Sequence, residues 1–244
     1  MNSMAFNAIF SDPRWIEQAY LVRYDIRGHG RSSKPTDEAS WESKRLAEDF
    51  DAVVQAYKLD KPFVLGWSLG ATMITDILSF HPPSYISGVI YVAALPYMGP
   101  TLAQVGSPAC LVTLPALMQT TDVDQYQTNA IAFAELTHDA LPYDYYLACL
   151  GNSMVQPRGV TMRLLARTQD ESGLLKAGRE GGLPMLDIHG AKDRIIVKEA
   201  VLKAIEGWGN LTVVDVEDAE HFIWLSKPDR FRKEVLSWVA RISP

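Results

Sequence analysis

Ser68 stands in the pentapeptide Gly66-Trp67-Ser68-Leu69-Gly70. This is the G-x-S-x-G pattern of a serine raised on a sharp strand-to-helix turn. Its surroundings fit that reading. Pro62-Phe63-Val64-Leu65 is an apolar, strand-like run before it, and residues 71–80 follow with Met73, Ile74, Ile77 and Leu78 on one helical face. A serine so placed is forced clear of both elements, and the Leu69 N–H points at the same space. A Cβ at either flank would crowd the turn, which explains the two glycines. The bland alternative is a Gly-Ser turn with no chemistry.

A serine hydroxyl is a weak nucleophile until a base takes its proton. The base is usually a histidine whose tautomer is fixed by an acid. Asp193, in His189-Gly190-Ala191-Lys192-Asp193-Arg194, lies just past a strand-like run at 184–189. His221, in Asp218-Ala219-Glu220-His221-Phe222, follows a second run at 211–216 by about five residues. Both therefore fall at the carboxyl end of a sheet, where open α/β sheets bind ligands. Asp187 is the rival acid, but it sits inside its strand, where an outward-facing residue near the sheet edge is the ordinary reading. The other histidines fit less well. His29 is upstream of Ser68, His81 ends the helix after it, and His138 lies in a helical stretch. His189, at a strand end, is within reach of the site.

The elements that must position these groups alternate strand and helix, which predicts an α/β fold with a mostly parallel sheet between helical layers. Residues 20–24 (Tyr-Leu-Val-Arg-Tyr) read as the first strand, followed by a polar, Gly-rich loop over 25–37. Trp41, Leu46, Phe50, Val53, Val54 and Tyr57 recur at helical spacing, and 88–93 is a short buried strand. From 98 to 182 no clear strand occurs; 111–118, 125–136, 144–150 and 161–168 read as short helices. Alternation then resumes, with a helix near 197–206 and a last helix over 228–242, where Ser226 and Asp229 fit a capping box. The expected organisation is a core of 1–97 and 183–244 with a helical cap, 98–182, inserted after the third strand.

The 244 residues suffice for one such domain. A formal charge of −6 argues against a nucleic-acid surface. Cys110 and Cys149 form neither a metal spacing nor a disulfide framework and read as free thiols of a reducing, cytoplasmic compartment. No apolar run approaches membrane-spanning length, and residues 1–14 do not have the form of a signal peptide. Nothing in the pattern calls for a metal or cofactor; the expected partner is a small-molecule substrate.

Four segments together resemble the α/β-hydrolase superfamily, in its esterase, epoxide-hydrolase and haloperoxidase-like branch. They are Arg23-Tyr24-Asp25-Ile26-Arg27-Gly28-His29-Gly30-Arg31-Ser32-Ser33-Lys34-Pro35, the Ser68 pentapeptide, His189 to Asp193, and Ala219-Glu220-His221-Phe222. The resemblance runs from about residue 5 to the end. It implies a three-layer fold with Ser68 as nucleophile, His221 as base, Asp193 as its orienting acid and the Leu69 N–H as an oxyanion donor. Serine at the elbow speaks against epoxide-hydrolase and dehalogenase chemistry, since those relatives carry aspartate there. Trp67, Met98, Tyr126, Phe133 and Phe222 are the expected substrate-side residues, with Met118, Tyr145 and Tyr146 on the cap. The implied activity is cleavage of an ester or related acyl bond of a small apolar molecule. The alternatives are a catalytically impaired relative that binds a ligand or partner, and a cofactor-free perhydrolase.

The chain departs from the family at its front. Relatives begin with about three strands, the third ending in a His-Gly loop that gives a second oxyanion donor. Here no His-Gly precedes residues 20–24, and 4–19 resembles the helix after that loop. The expectation is an N-terminally truncated fold of about five strands, abnormal between 20–24 and the strand before Ser68, weak in catalysis and prone to self-association.

Overall fold

A computed structural model describes residues 2–243. Its frame is a parallel sheet of β1 (Phe63–Trp67), β2 (Gly88–Val92), β3 (Met185–Gly190) and β4 (Leu211–Val216), in that spatial order. Leu65 pairs with Ile90, Ile90 with Leu186 and Leu186 with Thr212, so the carboxyl ends of all four strands gather on one side. Every residue of β2 and β3 is buried, as a parallel sheet covered on both faces requires.

Alternate strand residues feed two cores. Ile90, Val92, Leu186 and Ile188 pack with Phe222, Trp224, Phe231 and Trp238 on one face. Val89, Tyr91 and Met185 pack with Phe50, Ile74, Ile77 and Leu174 on the other. The second face is covered by α1 (Ser43–Tyr57) and α2 (Thr72–Phe80). Between β2 and β3 a five-residue helix, Thr101–Val105, precedes α3 (Pro108–Gln119), α4 (Val123–Thr137), α5 (Tyr143–Val155), α6 (Arg158–Leu165) and α7 (Ser172–Arg179). After β3 come α8 (Lys198–Ala204), β4 and α9 (Pro228–Ile242). Among the described residues no helix is long and apolar enough to cross a membrane.

Four features differ from the sequence reading. Residues 20–24 form no strand, and among the described residues the sheet has four strands rather than five. A cavity lined by both Leu21–Asp25 and Lys61–Leu65 separates this segment from β1, so its strand propensity has no neighbour to act on. The capping box at Ser226 is not made. Lys227 is the N-cap of α9 without a side-chain cap bond. Ser226 Oγ instead accepts the Glu220 N–H (3.2 Å) and donates to the Phe222 carbonyl (3.3 Å), while Asp229 pairs with Arg14 and Arg232. The helix expected over 161–168 starts three residues earlier and ends at Leu165. Finally, α7 lies where the sequence pattern gives no helix, and it carries Gly173, a residue of low helix propensity. There a Cβ would lie 2.3 Å from the Leu78 carbonyl of α2; the glycine is what lets the two helices touch.

The loop after residue 24 is tied down by its own charges. The Asp25 carboxylate accepts the Ser3 N–H (2.7 Å) and the Arg31 N–H (2.8 Å), and Arg27 makes a two-pronged bond to Asp49 of α1 (2.7 and 2.8 Å). Gly30 has φ +47°, and a Cβ on it would lie 2.0 Å from Asp25 Oδ2. This packing buries His29, and burial pushes its imidazole down to about 3. The unfolded chain, with a histidine near about 6.5, therefore takes up a proton that the folded one refuses. Stability should fall as pH drops from about 6.5 toward 3. Between pH 7 and 5 this amounts to about 2 kcal/mol. Urea titrations should show that loss in the wild type and a smaller one in His29→Gln; equal losses would mean that His29 is protonated in the fold.

Candidate active site

β1 delivers Ser68. The strand ends at Trp67, and Ser68 itself takes a left-handed φ of +52°, a conformation that costs a non-glycine residue and persists only when its surroundings enforce it. A 3₁₀ turn, Ser68–Ala71, then leads into α2. The Leu95 N–H donates to the Ser68 carbonyl (3.0 Å), which ties the turn to the end of β2. Thr72 Oγ1 donates to the Leu69 carbonyl (2.8 Å), so the first two carbonyls of the turn are both held. Gly66 is essential to this turn, since a Cβ there would lie 2.4 Å from Ala71 Cα. Gly70 is not: nothing lies within 4 Å of its Cβ position. The crowding expected at both flanks exists at one.

Asp193 and His221 come from the loops after β3 and β4. Gly190 lets those loops meet, because its Cβ position is 2.5 Å from the carbonyls of Ala219 and Glu220. The Lys192 N–H then donates to the Ala219 carbonyl (2.8 Å). Asp193 Oδ2 lies 2.9 Å from His221 Nδ1, and Oδ1 accepts the N–H groups of Ile195 (2.7 Å) and Ile196 (3.2 Å). Both side chains are buried, at 4% and 3% exposure. Burial pushes the Asp193 carboxyl up, but the His221 charge and these hydrogen bonds outweigh it and hold the group below the usual carboxylate range. An ionised Asp193 fixes the tautomer that leaves Nε2 free.

Trp67 connects the two halves. Its Nε1–H donates to the His221 carbonyl (2.9 Å), and its ring lies 5.1 Å from the imidazole. Glu220, beside His221, accepts the Asp139 N–H (2.9 Å) and lies 3.1 Å from the His138 ring and 3.5 Å from Arg194. The loop that carries His221 is thereby tied to the helical segment.

Ser68, Leu69 and His221 line one cavity of about 950 Å³, which also reaches Trp67, Tyr126, Phe133 and Met118. Its wall is mostly apolar. Met98 and Phe222, expected in this wall, are instead fully buried core residues outside it. Tyr145, whose hydroxyl accepts the Ala8 N–H, is buried and also outside it, and Tyr146, half-buried and stacked on Tyr143, does not line it either. Cys110 and Cys149 line the cavity, but burial pushes both thiols up to about 11, so neither offers a thiolate near neutrality. Asp187 is not outward-facing. It is fully buried and 2.8 Å from His189 Nε2, and this pair lies outside the cavity wall. His81 is remote, stacked on Tyr85. Among the described residues no three His, Cys, Asp or Glu side chains group as a metal site. The sequence reading passed over Gln156 and Arg158, which also line the cavity. Neither stands in a motif; only the long-range path of the helical segment brings them there.

The model of the alpha/beta hydrolase fold family matches residues 14–228. A 2-(acetamidomethylene)succinate hydrolase of Mesorhizobium japonicum is 22% identical over 258 residues, covering 98% of this chain and 84% of that protein. A pimeloyl-[acyl-carrier protein] methyl ester esterase of Pectobacterium carotovorum is 25% identical over 220 residues, covering 88% and 81%. Among solved structures, an esterase from Rhodococcus sp. superposes with a TM-score of 0.81 at 24% identity, covering 99% of this chain and 85% of that one; at that identity the likeness is one of fold.

The turn geometry separates the two glycines experimentally. Gly66→Ala should destabilise the protein by about 1–3 kcal/mol, the cost of overpacking, whereas Gly70→Ala should stay within about 0.5 kcal/mol. Urea unfolding of both variants checks this, and equal effects would contradict the described turn.

Proposed function

Because this chain belongs to the α/β-hydrolase fold family, we propose that it is a serine hydrolase cleaving an ester or related acyl bond of a small, largely apolar molecule. One observation carries the reading: the buried His221–Asp193 pair, 2.9 Å apart, opens into the same cavity as a serine held at positive φ. Two relatives named as a hydrolase and an esterase support the class.

In this mechanism Ser68 Oγ attacks the substrate carbonyl carbon while His221 Nε2 takes the hydroxyl proton. The charge that develops on the carbonyl oxygen falls to the Leu69 N–H. Asp193 stays ionised and stabilises the imidazolium formed at His221. When the tetrahedral adduct collapses, the carbon–oxygen bond to the alcohol breaks, and the alcohol leaves with the proton from His221. A water molecule, deprotonated by the same histidine, then attacks the acyl-serine and releases the acid. No hydrogen bond joins Ser68 to His221 among the described residues; such contacts often tighten only when substrate binds. Residues 98–182 act as the cap over this cavity.

A second reading is a ligand-binding protein with an idle serine. It is favoured by the extension of the cavity past Ser68 into the space between residues 20–25 and β1, which leaves that side of the elbow less enclosed than a water-excluding site requires.

Short p-nitrophenyl esters decide between the two. The wild type should turn them over and Ser68→Ala should not. His221→Ala and Asp193→Asn should each lower kcat/KM by about 10³-fold or more, and the double variant should lose little beyond that. Turnover retained in Ser68→Ala would remove the nucleophile, and additive losses would mean that His221 and Asp193 do not act as a unit. Binding of these esters without turnover by the wild type would favour the second reading.

A further inference from the structure

The corner between α5 and α6 brings an unpaired amide donor and a guanidinium without a carboxylate partner to the cavity wall. Gln156 is the C-cap of α5, and Arg158 opens α6. Both line the cavity that Ser68 and His221 line. Gln156 is only 8% exposed, its Nε2 has no hydrogen-bond partner, and its Oε1 meets Asn152 Nδ2 at a long 3.5 Å. A buried amide donor left unpaired is costly, and it calls for an acceptor that is not part of the fold. Arg158 lies with its guanidinium 5.6 Å from the Tyr126 ring centroid and donates from one Nη to the Met118 carbonyl (2.5 Å). Of its five donor hydrogens, this contact uses one, and no carboxylate among the described residues pairs with it.

The charge around this corner is one-sided. Among the described residues of the helical segment that line the cavity, Arg158 is the one charged side chain, and no aspartate or glutamate accompanies it. Tyr126 is fixed in place by donating its hydroxyl to the Ser153 carbonyl (2.8 Å), so the face on which the guanidinium rests is held. The corner is also close to the elbow. Leu69, next to Ser68, packs against Val160 and Leu164 of α6, and Arg158 precedes Val160 by two residues, about 3 Å along the helix. A planar guanidinium beside an unpaired amide suits a carboxylate, which accepts from both.

We propose that Gln156 and Arg158 form a subsite for a carboxylate at the end of the substrate remote from the scissile bond. The substrate class is then a monoester of a short dicarboxylic acid, its methylenes against the apolar wall and its free carboxylate at the α5–α6 corner. This deepens the serine-hydrolase reading and rests on it.

The test compares monomethyl adipate with methyl hexanoate, two methyl esters of similar length that differ in the remote charge. The wild type should favour the adipate by about tenfold or more in kcat/KM, mainly through KM, the effect expected of one charged hydrogen-bonded contact. In Arg158→Gln the ratio should fall to about one, and Arg158→Lys should keep part of it. In Gln156→Leu the ratio should drop several-fold. Circular dichroism and urea unfolding of each variant separate loss of the subsite from loss of the fold. Calorimetric binding of the two esters to Ser68→Ala gives a readout that needs no turnover: the same preference should appear there and vanish in Ser68→Ala/Arg158→Gln. Equal handling of the two esters by the wild type, or a preference that survives Arg158→Gln, would overturn the subsite. Hydrolysis of methyl hexanoate or p-nitrophenyl butyrate without a carboxylate preference would overturn the subsite alone. Failure to turn over any ester would count against the hydrolase reading, and the binding experiment would still decide the subsite.

Discussion

The contact on which the site depends is the meeting of two loops over Gly190. The β3 and β4 strands are in parallel register up to Gly190 and Val216, and their loops emerge side by side. With hydrogen at the Gly190 α-carbon, the carbonyls of Ala219 and Glu220 approach to a distance no Cβ would permit. Asp193 and His221 then face each other across a gap closed by one hydrogen bond, and Asp193 spends its other oxygen on two backbone amides. The carboxylate is thus bound on three sides while buried, which is the arrangement that keeps it ionised despite its desolvation. Ser68 reaches the same space by a different device. Gly66 makes room for Ala71, and the strain of the turn at Ser68 is held by the bonds that Leu95 and Thr72 make to the first two carbonyls.

The parts of the site legible in the sequence are those set by local pattern. A strand, a turn with glycine and a helix suffice to place Ser68, and the order and spacing of two later loops suffice for Asp193 and His221. What was not legible depends on tertiary neighbours. The 20–24 segment has the composition of a strand, but a cavity stands where a pairing strand is needed. Asp187 reads as a surface residue from its position, yet β3 is an inner strand, so the side chain is buried and bonded to His189. Ser226 has the spacing of a cap, but the loop carrying His221 takes its hydroxyl first. The helix α7 is not marked in the sequence pattern, and its low-propensity Gly173 is the contact that seats it on α2. Met98 and Phe222 are near the expected wall in sequence but point into the core.

The helical segment has its own logic. It meets the core at both ends of the site: Glu220 binds the backbone of Asp139 beside His221, and Leu69 packs on α6 beside Ser68. Displacement of α4 to α6 would therefore be felt by both halves of the site. Its inner face supplies apolar bulk from Leu114, Leu117 and Phe133, with its polar groups gathered at the α5–α6 corner. Selectivity in such a cavity resides in the few polar groups, since apolar contacts alone discriminate weakly between similar chains.

In the proposed mechanism Ser68 is an activated nucleophile rather than an inert turn residue. Activation is read directly by covalent labelling with a fluorophosphonate, followed by intact mass and peptide mapping, because phosphonylation needs the hydroxyl proton to be withdrawn and needs no substrate selectivity. A single adduct is expected, located on Ser68, whose rate of formation falls by about 10²-fold or more in His221→Ala, the contribution of a positioned general base. An adduct on another residue, or labelling at an unchanged rate in His221→Ala, would contradict it.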